Sequence, residues 1–375
     1  MEYRVRVVRD EVGLSALEEA WSELIGGSRA ATIFASYGWN VAWWQAFGKE
    51  KGLYVVLAED AEGRVRGIAP LMMSTGIVRK LEFMGTGLSD TGDFVLDEEC
   101  AEEVSRAIFA FLRKQRREWD LLDLDEVPPY SPLAAWLGRE KPSGLHIIRL
   151  PRTECPYIEV PASWEVYVRG LQRKARQHLE GFARRVTEET GATFRMVTEE
   201  TGEGELDRAV EQFYRLHRMR WATREDDLNP EHRAAGFLPF LEEVCRRSAA
   251  QGYLRLAEMR VGDEVIGSCI GFQVNGRWNG YMTGFDPEWS AKRPGKILHG
   301  YVMRQALAEK TREFDFGRGN ESYKYEMGAV DRRNARFVLT NNTPRSGLAL
   351  LMTRARIAGR EVVRRYRERK GRVEG

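Results

Sequence analysis

Three stretches of this 375-residue chain combine residue types suited to chemistry on charged or activated ligands. In AKRPGKILHG, residues 291–300, Lys292, Arg293 and Lys296 surround Gly295, and Ile297 follows as a helical pattern begins. A helix N-terminus presents unpaired N–H groups and a partial positive charge, so it holds phosphate-like anions. Glycine there lets backbone approach a ligand. Cations at a helix start oppose its dipole, so the loop reads as a phosphate site; a solvated basic turn is the plainer alternative. In FDFGRGNESYKYEMG, residues 314–328, the strand and Gly-Arg-Gly turn begin like a dinucleotide fingerprint but lack its third glycine. Asp315 lies between two phenylalanines and faces opposite to them. Arg318, Glu321, Tyr323 and Lys324 follow the strand end, where ligands of open α/β sheets bind. In RLHRMRWATRED, residues 215–226, His217 and Trp221 share a helical face with Arg220 beside them. His217 is a candidate base because imidazole titrates near neutral pH; an amphipathic helix that simply buries Trp221 explains the same pattern.

Positioning these groups requires ordered elements, and the hydrophobic periodicity supplies them. In the first half, strands are predicted at 3–8, 53–59, 65–73, 78–85 and 119–127, with helices at 15–24 (capped by Ser15), 37–47 and 101–116. In the second half, strands fall at 193–198, 253–260, 264–274, 277–285 and 313–317, with helices at 205–221, 234–250 and 296–310. Asn275-Gly276 marks a hairpin. Residues 163–189 read as one long basic helix inserted before the second half. Both halves therefore run β-α-α-β-β-β-α-β, which implies a duplicated α/β fold of mixed sheets. Prolines 142, 151, 156 and 161 place the boundary, giving lobes at 1–150 and 151–343 and a basic C-terminal helix at 344–375.

The two copies differ at the helix after the third central strand. The first has LDEECAEEV, residues 96–104, whose acids suit a helix start and repel a pyrophosphate. Only the second half is expected to bind a nucleotide-like cofactor. The remaining composition mostly excludes. A net charge of +2 gives no case for a DNA binder, and four scattered cysteines without a CxxC pair argue against a disulfide scaffold or structural zinc. No metal motif is present. Gly267-Ser-Cys269-Ile-Gly271 imitates a nucleophile elbow but continues as strand, so Cys269 reads as a small buried residue. There is no apolar signal core or membrane-spanning run, and a cytoplasmic location is expected.

The element order with a basic glycine loop before the last helix resembles the GNAT acyltransferase fold. ASYGWNVAWWQAFG, GTGLSDTGDFVL, FYRLHRMRW, RPGKILHGYVMRQAL and FDFGRGNESYKYEMG together resemble the CelD/BcsL-type GNAT acetyltransferases. Those are double-GNAT proteins associated with cellulose and exopolysaccharide production and related to the FemAB peptidyltransferases. The family's phosphate loop is Gln/Arg-x-x-Gly-x-Gly/Ala; here Arg293-Pro-Gly-Lys-Ile is a contracted version with one glycine.

The resemblance implies acyl transfer from acetyl-CoA or another acyl-CoA to an amine or hydroxyl of a small-molecule, glycan or peptide acceptor. Backbone N–H groups around Tyr281 to Phe285 would hold the oxyanion, with Gly280 and Gly284 permitting a bulge and close approach. Lys292, Arg293, Gly295, Lys296, Ile297 and Gly284 would contact the cofactor. Glu258, Asp315, His217 and Tyr323 are the candidates for proton transfer, Tyr323 toward the leaving sulfur. Arg220, Trp221, Arg318, Glu321 and Lys324 would border the acceptor. Two alternatives stay open: an aminoacyl-tRNA donor, as in FemAB-like proteins, and a non-catalytic lobe pair that binds a partner of polysaccharide synthesis. The tail, rich in arginine around Leu348, Leu351, Ile357 and Val363, is a basic amphipathic helix suited to an anionic membrane surface or to packing with its arginines in water.

Overall fold

The computed structural model describes residues 2–140, 142–222 and 230–355. The first half comprises β1 (Arg4–Val8), α1 (Glu11–Ser15), α2 (Glu18–Gly27), α3 (Tyr37–Phe47), β2 (Gly52–Glu59), β3 (Val65–Ser74), β4 (Lys80–Phe83), β5 (Val95–Leu96), α4 (Ala101–Lys114), β6 (Leu121–Val127), α5 (Pro132–Arg139) and β7 (Leu145–Glu154). Next come β8 (Tyr157–Glu159), α6 (Trp164–Gly170), α7 (Arg173–Arg176), α8 (Ala183–Thr190), β9 (Thr193–Val197), α9 (Glu203–Trp221), α10 (Pro230–Arg233) and α11 (Phe237–Ala250). The chain continues through β10 (Leu254–Val261), β11 (Glu264–Val274), β12 (Arg277–Phe285), α12 (Pro294–Ala308), β13 (Glu313–Asp315), α13 (Ser322–Glu326) and β14 (Arg333–Asn341).

Two predicted helices differ in detail. Ser15 ends α1, whose cap is Asp10, with its carboxylate accepting from the Gly13 N–H at 2.7 Å; α2 starts three residues later without a side-chain cap. The long helix expected at 163–189 begins as predicted, with Ser163 capping α6, but breaks at Leu171, which is extended and buried. It resumes as α7, a π-helical stretch at Gln177–Phe182, and α8. Gly170 and the burial of Leu171 in the second lobe's core account for the break.

The first sheet runs β1-β2-β3-β4-β6-β14-β7, with β5 added beside β3, and the second runs β8-β13-β12-β11-β10-β9. The last strand among the described residues therefore lies inside the first sheet, between β6 and β7. β8, which follows β7 directly, closes the second sheet against β13. The expected division at residues 150 and 151 thus falls inside β7, and β14 crosses back over it, because hydrogen-bonding partners and not prolines decide which sheet a strand joins. Both faces of both sheets are covered. Val56 and Leu71 face α4, Met259 and Cys269 face α12, and between the sheets lies a shared core. That core joins Trp21 and Trp39 of the first half to Phe213, Phe237, Phe240 and Phe272 of the second, each fully buried. Trp39 packs edge-on against Phe240 and Tyr281, each at 5.1 Å. Truncating one such ring costs about 3–5 kcal/mol, so this shared core holds the two lobes together.

Residues 344–355 are helical, and Ala349 buries itself against Leu121 and Val338 on the first sheet. The remainder of the predicted basic tail, 356–375, lies outside the described residues. No helix among the described residues is long and apolar enough to cross a membrane.

Where the chain crosses back to the first sheet, Arg332 pairs with Glu313 at 2.8 Å and Asp315 at 2.5 Å, with its guanidinium over the rings of Tyr130 and Tyr157. Arg277 also pairs with Glu313. Replacing Arg332 by Met leaves two carboxylates short of a buried partner. The variant should lose about 3–5 kcal/mol of unfolding free energy, read by urea denaturation, and Asp315→Asn in the same chain should return part of it. A loss below 1 kcal/mol would mean that the crossing is held by something else.

Candidate active site

The parallel pairing of β12 with β13 stops at Asn279 and Asp315. Beyond that point β12 continues to Phe285 while the chain after Asp315 turns away, so the two strands part. Gly280 sits at the fork, where an added Cβ would lie 3.0 Å from the Asp315 carbonyl. On its other edge β12 carries a register offset: Gly280 opposes Gly271, Met282 opposes Ile270, and Tyr281 is the extra residue. Such a bulge takes backbone groups out of the ladder and re-aims them. The fork holds a small cavity of about 30 Å³, lined by Gly280, Thr283, His299, Phe316 and Tyr323 among others. It has room for roughly one water. Its far wall is Tyr323 stacked on His299 at 5.0 Å, with Phe316 edge-on to Tyr323. The Thr283 hydroxyl lies 3.5 Å from His299 Nε2.

The first lobe parts its strands in the same place, after Glu82 and Asp123, but β4 runs against β3 without an offset. Its helix start is acidic, and Glu98 accepts the Arg29 and Ala30 N–H groups. Backbone re-aimed by a bulge beside a basic loop is found at the fork of the second lobe.

The Gly-Arg-Gly turn is a clasp between lobes. Gly317 and Gly319 adopt φ of +72° and +108°, and a Cβ on Gly317 would meet Asp90 Oδ2 at 2.4 Å. Arg318 donates to Asp90 at 2.7 Å and to the Gly87 carbonyl at 3.0 Å. Lys324, buried, donates to the carbonyls of Gly317, Arg318 and Gly319 at 3.0, 2.8 and 3.1 Å and pairs with Glu321 at 2.9 Å. Arg318, Lys324 and Glu321, expected at the acceptor, thus spend their polar groups on shaping this loop. Tyr323, next to Lys324 on α13, faces the cavity instead. Burial holds its phenol well above the ordinary tyrosine range, so it keeps its proton.

The other candidates divide between the fork and elsewhere. Arg220 donates to the Thr283 carbonyl at 2.7 Å and lies over Phe285 and Trp221, which puts this pair beside the free half of β12. His217 is buried against the same strand, but burial, then His232 and Arg220, push its pKa down to about 3. It is a far weaker base than its type suggests. Gly284 admits α9: a Cβ there would lie 2.5 Å from the His217 nitrogen, so its role is helix packing and not contact with a cofactor. Asp315 is committed to Arg332 and to the Gly317 N–H at 2.8 Å. Glu258 is buried on β10, separated from β12 by β11, and pairs with Arg195 at 2.9 Å and Arg260 at 3.3 Å. Neither carboxylate is placed to take a proton at the fork.

At the start of α12, Ile297 points into the core and its N–H bonds the Arg293 carbonyl at 3.3 Å, as does that of Lys296 at 3.1 Å. Lys292 pairs with Glu189 at 2.7 Å and Lys296 with Glu326 at 2.5 Å. Pro294 has no N–H, so Gly295 is left to offer its backbone, and a Cβ there would touch the Thr283 and Phe285 side chains at 3.6 and 3.7 Å. Residues missed from the sequence are His299, Thr283 and Asp90. His299 lies four residues after Gly295 on α12, a spacing that marks it as sharing the face of the glycine loop. Asp90 has no such signal, because its partner is 228 residues away. Among the described residues no cluster of metal ligands occurs.

Three imidazoles surround this region, His217 buried and His232 and His299 half-buried, and their titration is a test of its packing. His217 and His299 resist protonation down to about 3 and His232 down to about 4, in each case mainly through burial, against an ordinary value of 6.5. Between those values each of these rings binds more protons in the unfolded chain than in the folded one, so its contribution to stability rises with pH and is lost as pH falls below about 6.5; Asp93, raised to about 7 by burial, contributes with the opposite sign. Each imidazole contributes up to about 1.4 kcal/mol per pH unit in that window. Compared by urea unfolding between about pH 7 and pH 5, His232→Gln should lose less stability on acidification than wild type. An unchanged slope would contradict burial of the neutral ring.

Comparisons with known proteins agree with this geometry. A family model described as an acetyltransferase (GNAT) domain matches residues 173–325, from α7 to α13. No curated protein matches the chain by sequence. Among solved structures the chain is similar to FemX, with 10% identity, a TM-score of 0.66, and coverage of 93% of this chain and 99% of that one. It is also similar to the C-terminal domain of a putative lysylphosphatidylglycerol synthetase from Agrobacterium fabrum, at 12% identity and a TM-score of 0.54, covering 90% and 96%. L-PGS from Bacillus licheniformis follows at 13% identity and a TM-score of 0.50, covering 94% and 97%. The fold is a tandem of two GNAT-like lobes of mixed α/β architecture, and the second lobe contains the segment that matches the acetyltransferase domain.

Proposed function

We propose that the chain transfers an acyl group from acyl-CoA, acetyl-CoA in the first instance, to an amine or hydroxyl acceptor. The observation that carries this reading is the fork between β12 and β13 with its bulge at Tyr281, lying beside the basic start of α12. An extended thioester arm entering the fork would pair with the free edge of β12. Backbone N–H groups near Tyr281 would hold the carbonyl oxygen as charge develops on it. Tyr323, protonated and at the cavity wall, would give its proton to the departing thiolate and regain one from the acceptor nitrogen or oxygen as the new acyl bond forms. Arg220 and Trp221 border the acceptor side. Entry of the arm requires the Tyr323–His299 stack to move, since the cavity holds only about 30 Å³. The resemblance to CelD/BcsL-type proteins supports a cell-envelope or exopolysaccharide precursor as acceptor.

A second reading has its own support. Likeness to FemX runs along nearly the whole chain, and the start of α12 leaves one backbone N–H and two paired lysines for a pyrophosphate. Both favour an aminoacyl-tRNA donor of the FemAB kind. Calorimetric titration of acetyl-CoA into wild type and Lys296→Glu separates the two. Saturable binding that weakens about tenfold or more in the variant supports the first reading; no heat from the wild type would remove it.

The tail supports peripheral membrane contact. Leu348 and Leu351 are exposed on the described helix beside Arg345 and Arg354. Full-length protein should co-sediment with phosphatidylglycerol vesicles at low salt and lose most of that binding on deletion of residues 356–375 or in about 0.5 M salt. Equal sedimentation with neutral vesicles would exclude an electrostatic contact.

A further inference from the structure

The end of the first sheet that lies away from the crossing carries cations left without partners. Helix α4 finishes in Arg113 and Lys114, and the turn into β6 adds Arg116 and Arg117, all four exposed. The acids of that turn are already taken: Glu118 pairs with Arg9 at 2.5 Å and Asp120 with Arg79 at 2.8 Å. Among the described residues no carboxylate lies within ion-pair distance of Arg113, Lys114, Arg116 or Arg117. Arg345, exposed at the start of the C-terminal helix, joins them. Asn341, four residues earlier, donates to the carbonyls of Arg116 at 3.1 Å and Trp119 at 2.7 Å, which ties the start of that helix to the basic turn. Like charges held together repel, so such a cluster favours an anionic partner.

The same end exposes apolar side chains. Ile77, in the turn between β3 and β4, is 78% exposed, and Leu348 and Leu351 are 46% and 64% exposed. Scattered singly such residues are ordinary, but these three stand on one foundation. Val78, next to Ile77, and Ala349, next to Leu348, pack into one small cluster with Leu121 and Val338. The Ile77 turn is also bonded to the basic one: the Arg79 N–H donates to the Asp120 carboxylate and the Asp120 N–H to the Arg79 carbonyl, each at 2.9 Å. Apolar tips among unneutralised cations suit a bilayer interface, where the tips enter the headgroup boundary and the cations meet lipid phosphates. RNA would use the cations but would leave Ile77, Leu348 and Leu351 in water, so the combination favours lipid.

We propose that this end of the first lobe docks on an anionic lipid surface, with Arg113, Lys114, Arg116, Arg117 and Arg345 against the headgroups and Ile77 at the acyl boundary. Resting on the peripheral contact proposed for the tail, this face adds a rigid second point of attachment. Residues 356–375 carry eight Lys and Arg against three Glu, so both segments call for the same kind of partner. Two weak contacts on one chain bind far more tightly than either alone. Docking here also sets a distance. β14 runs from Arg333 at the crossing to Asn341 at this face, nine residues or about 30 Å. The fork, beside the crossing, is thereby held about 30 Å from the lipid, beyond the reach of a small headgroup. An acceptor anchored in the same membrane must then be carried on a long headgroup.

The test measures co-sedimentation of the full-length protein with phosphatidylglycerol vesicles. Its variants are Lys114→Glu with Arg116→Glu and Arg117→Glu, Ile77→Ser alone, and deletion of residues 356–375. Each basic residue near such a surface is worth roughly fivefold in binding, so the triple variant should bind about a hundredfold more weakly. Ile77→Ser should weaken binding severalfold without changing its salt dependence. All four side chains are exposed, and an unchanged urea midpoint confirms that each variant is folded. Wild-type binding by the triple variant, with loss on deletion of the tail, overturns this face and leaves the tail contact standing. Loss in the triple variant with none on deletion keeps the face and removes the tail contact. Binding of a bulk tRNA mixture that displaces the vesicles, is lost in the triple variant and ignores Ile77→Ser would make the face an RNA surface and overturn the lipid assignment. No binding of wild type to the vesicles overturns face and tail together.

Discussion

β14 pairs on both sides, with β6 and with β7, while the chain that leads to it comes from the other lobe. A strand in mid-sheet has all its backbone groups committed, so it cannot leave without exposing two ladders of unpaired N–H and C=O groups. The segment from Phe316 to Arg332 must therefore cross from one lobe to the other at a fixed place. The clasp beside the fork follows from that crossing. The glycine turn, α13 and the Arg332 ion pairs all lie on the connecting stretch, and they meet the first lobe where β14 is about to enter its sheet.

The crossing also explains why the turn is built as it is. A loop bridging two lobes needs its backbone groups satisfied without a regular ladder. Lys324 does this from below by taking three carbonyls, and Asp90 does it from the first lobe by receiving Arg318. Gly317 is glycine because Asp90 occupies the space a side chain would need. With its neighbours fixed, Tyr323 is left with one direction, toward the fork of β12 and β13. The position of a candidate proton donor in one lobe is thus set partly by an aspartate in the other.

The element pattern was legible because both halves obey local rules. The Asn275-Gly276 hairpin, the strands β10 to β12 and helix α3 stand where alternation and helical spacing put them. The bulge was foreshadowed by glycines at 280 and 284, though only Gly280 serves the fork, since Gly284 makes room for α9. Candidates chosen by residue type fared differently. His217 has the side chain of a base, yet burial among rings drives its pKa down to about 3. Glu258 and Asp315 have the side chain of a base, yet Arg195 and Arg332, 63 and 17 residues away, pair with them.

By itself the sequence determined the repeated order of strands and helices, the difference between an acidic and a basic helix start, and the presence of chemistry-bearing residues after β13. These depend on neighbours within a few positions, and periodicity and turn chemistry record them. Only the tertiary structure decided which sheet owns β8 and β14, which of the polar residues face the fork, and which are consumed by partners such as Asp90, Arg195 or Arg332. Charge, burial and hydrogen-bonding capacity belong to a place and not to a residue type. That place is assembled from segments more than two hundred residues apart, as Asp90 and Arg318 are.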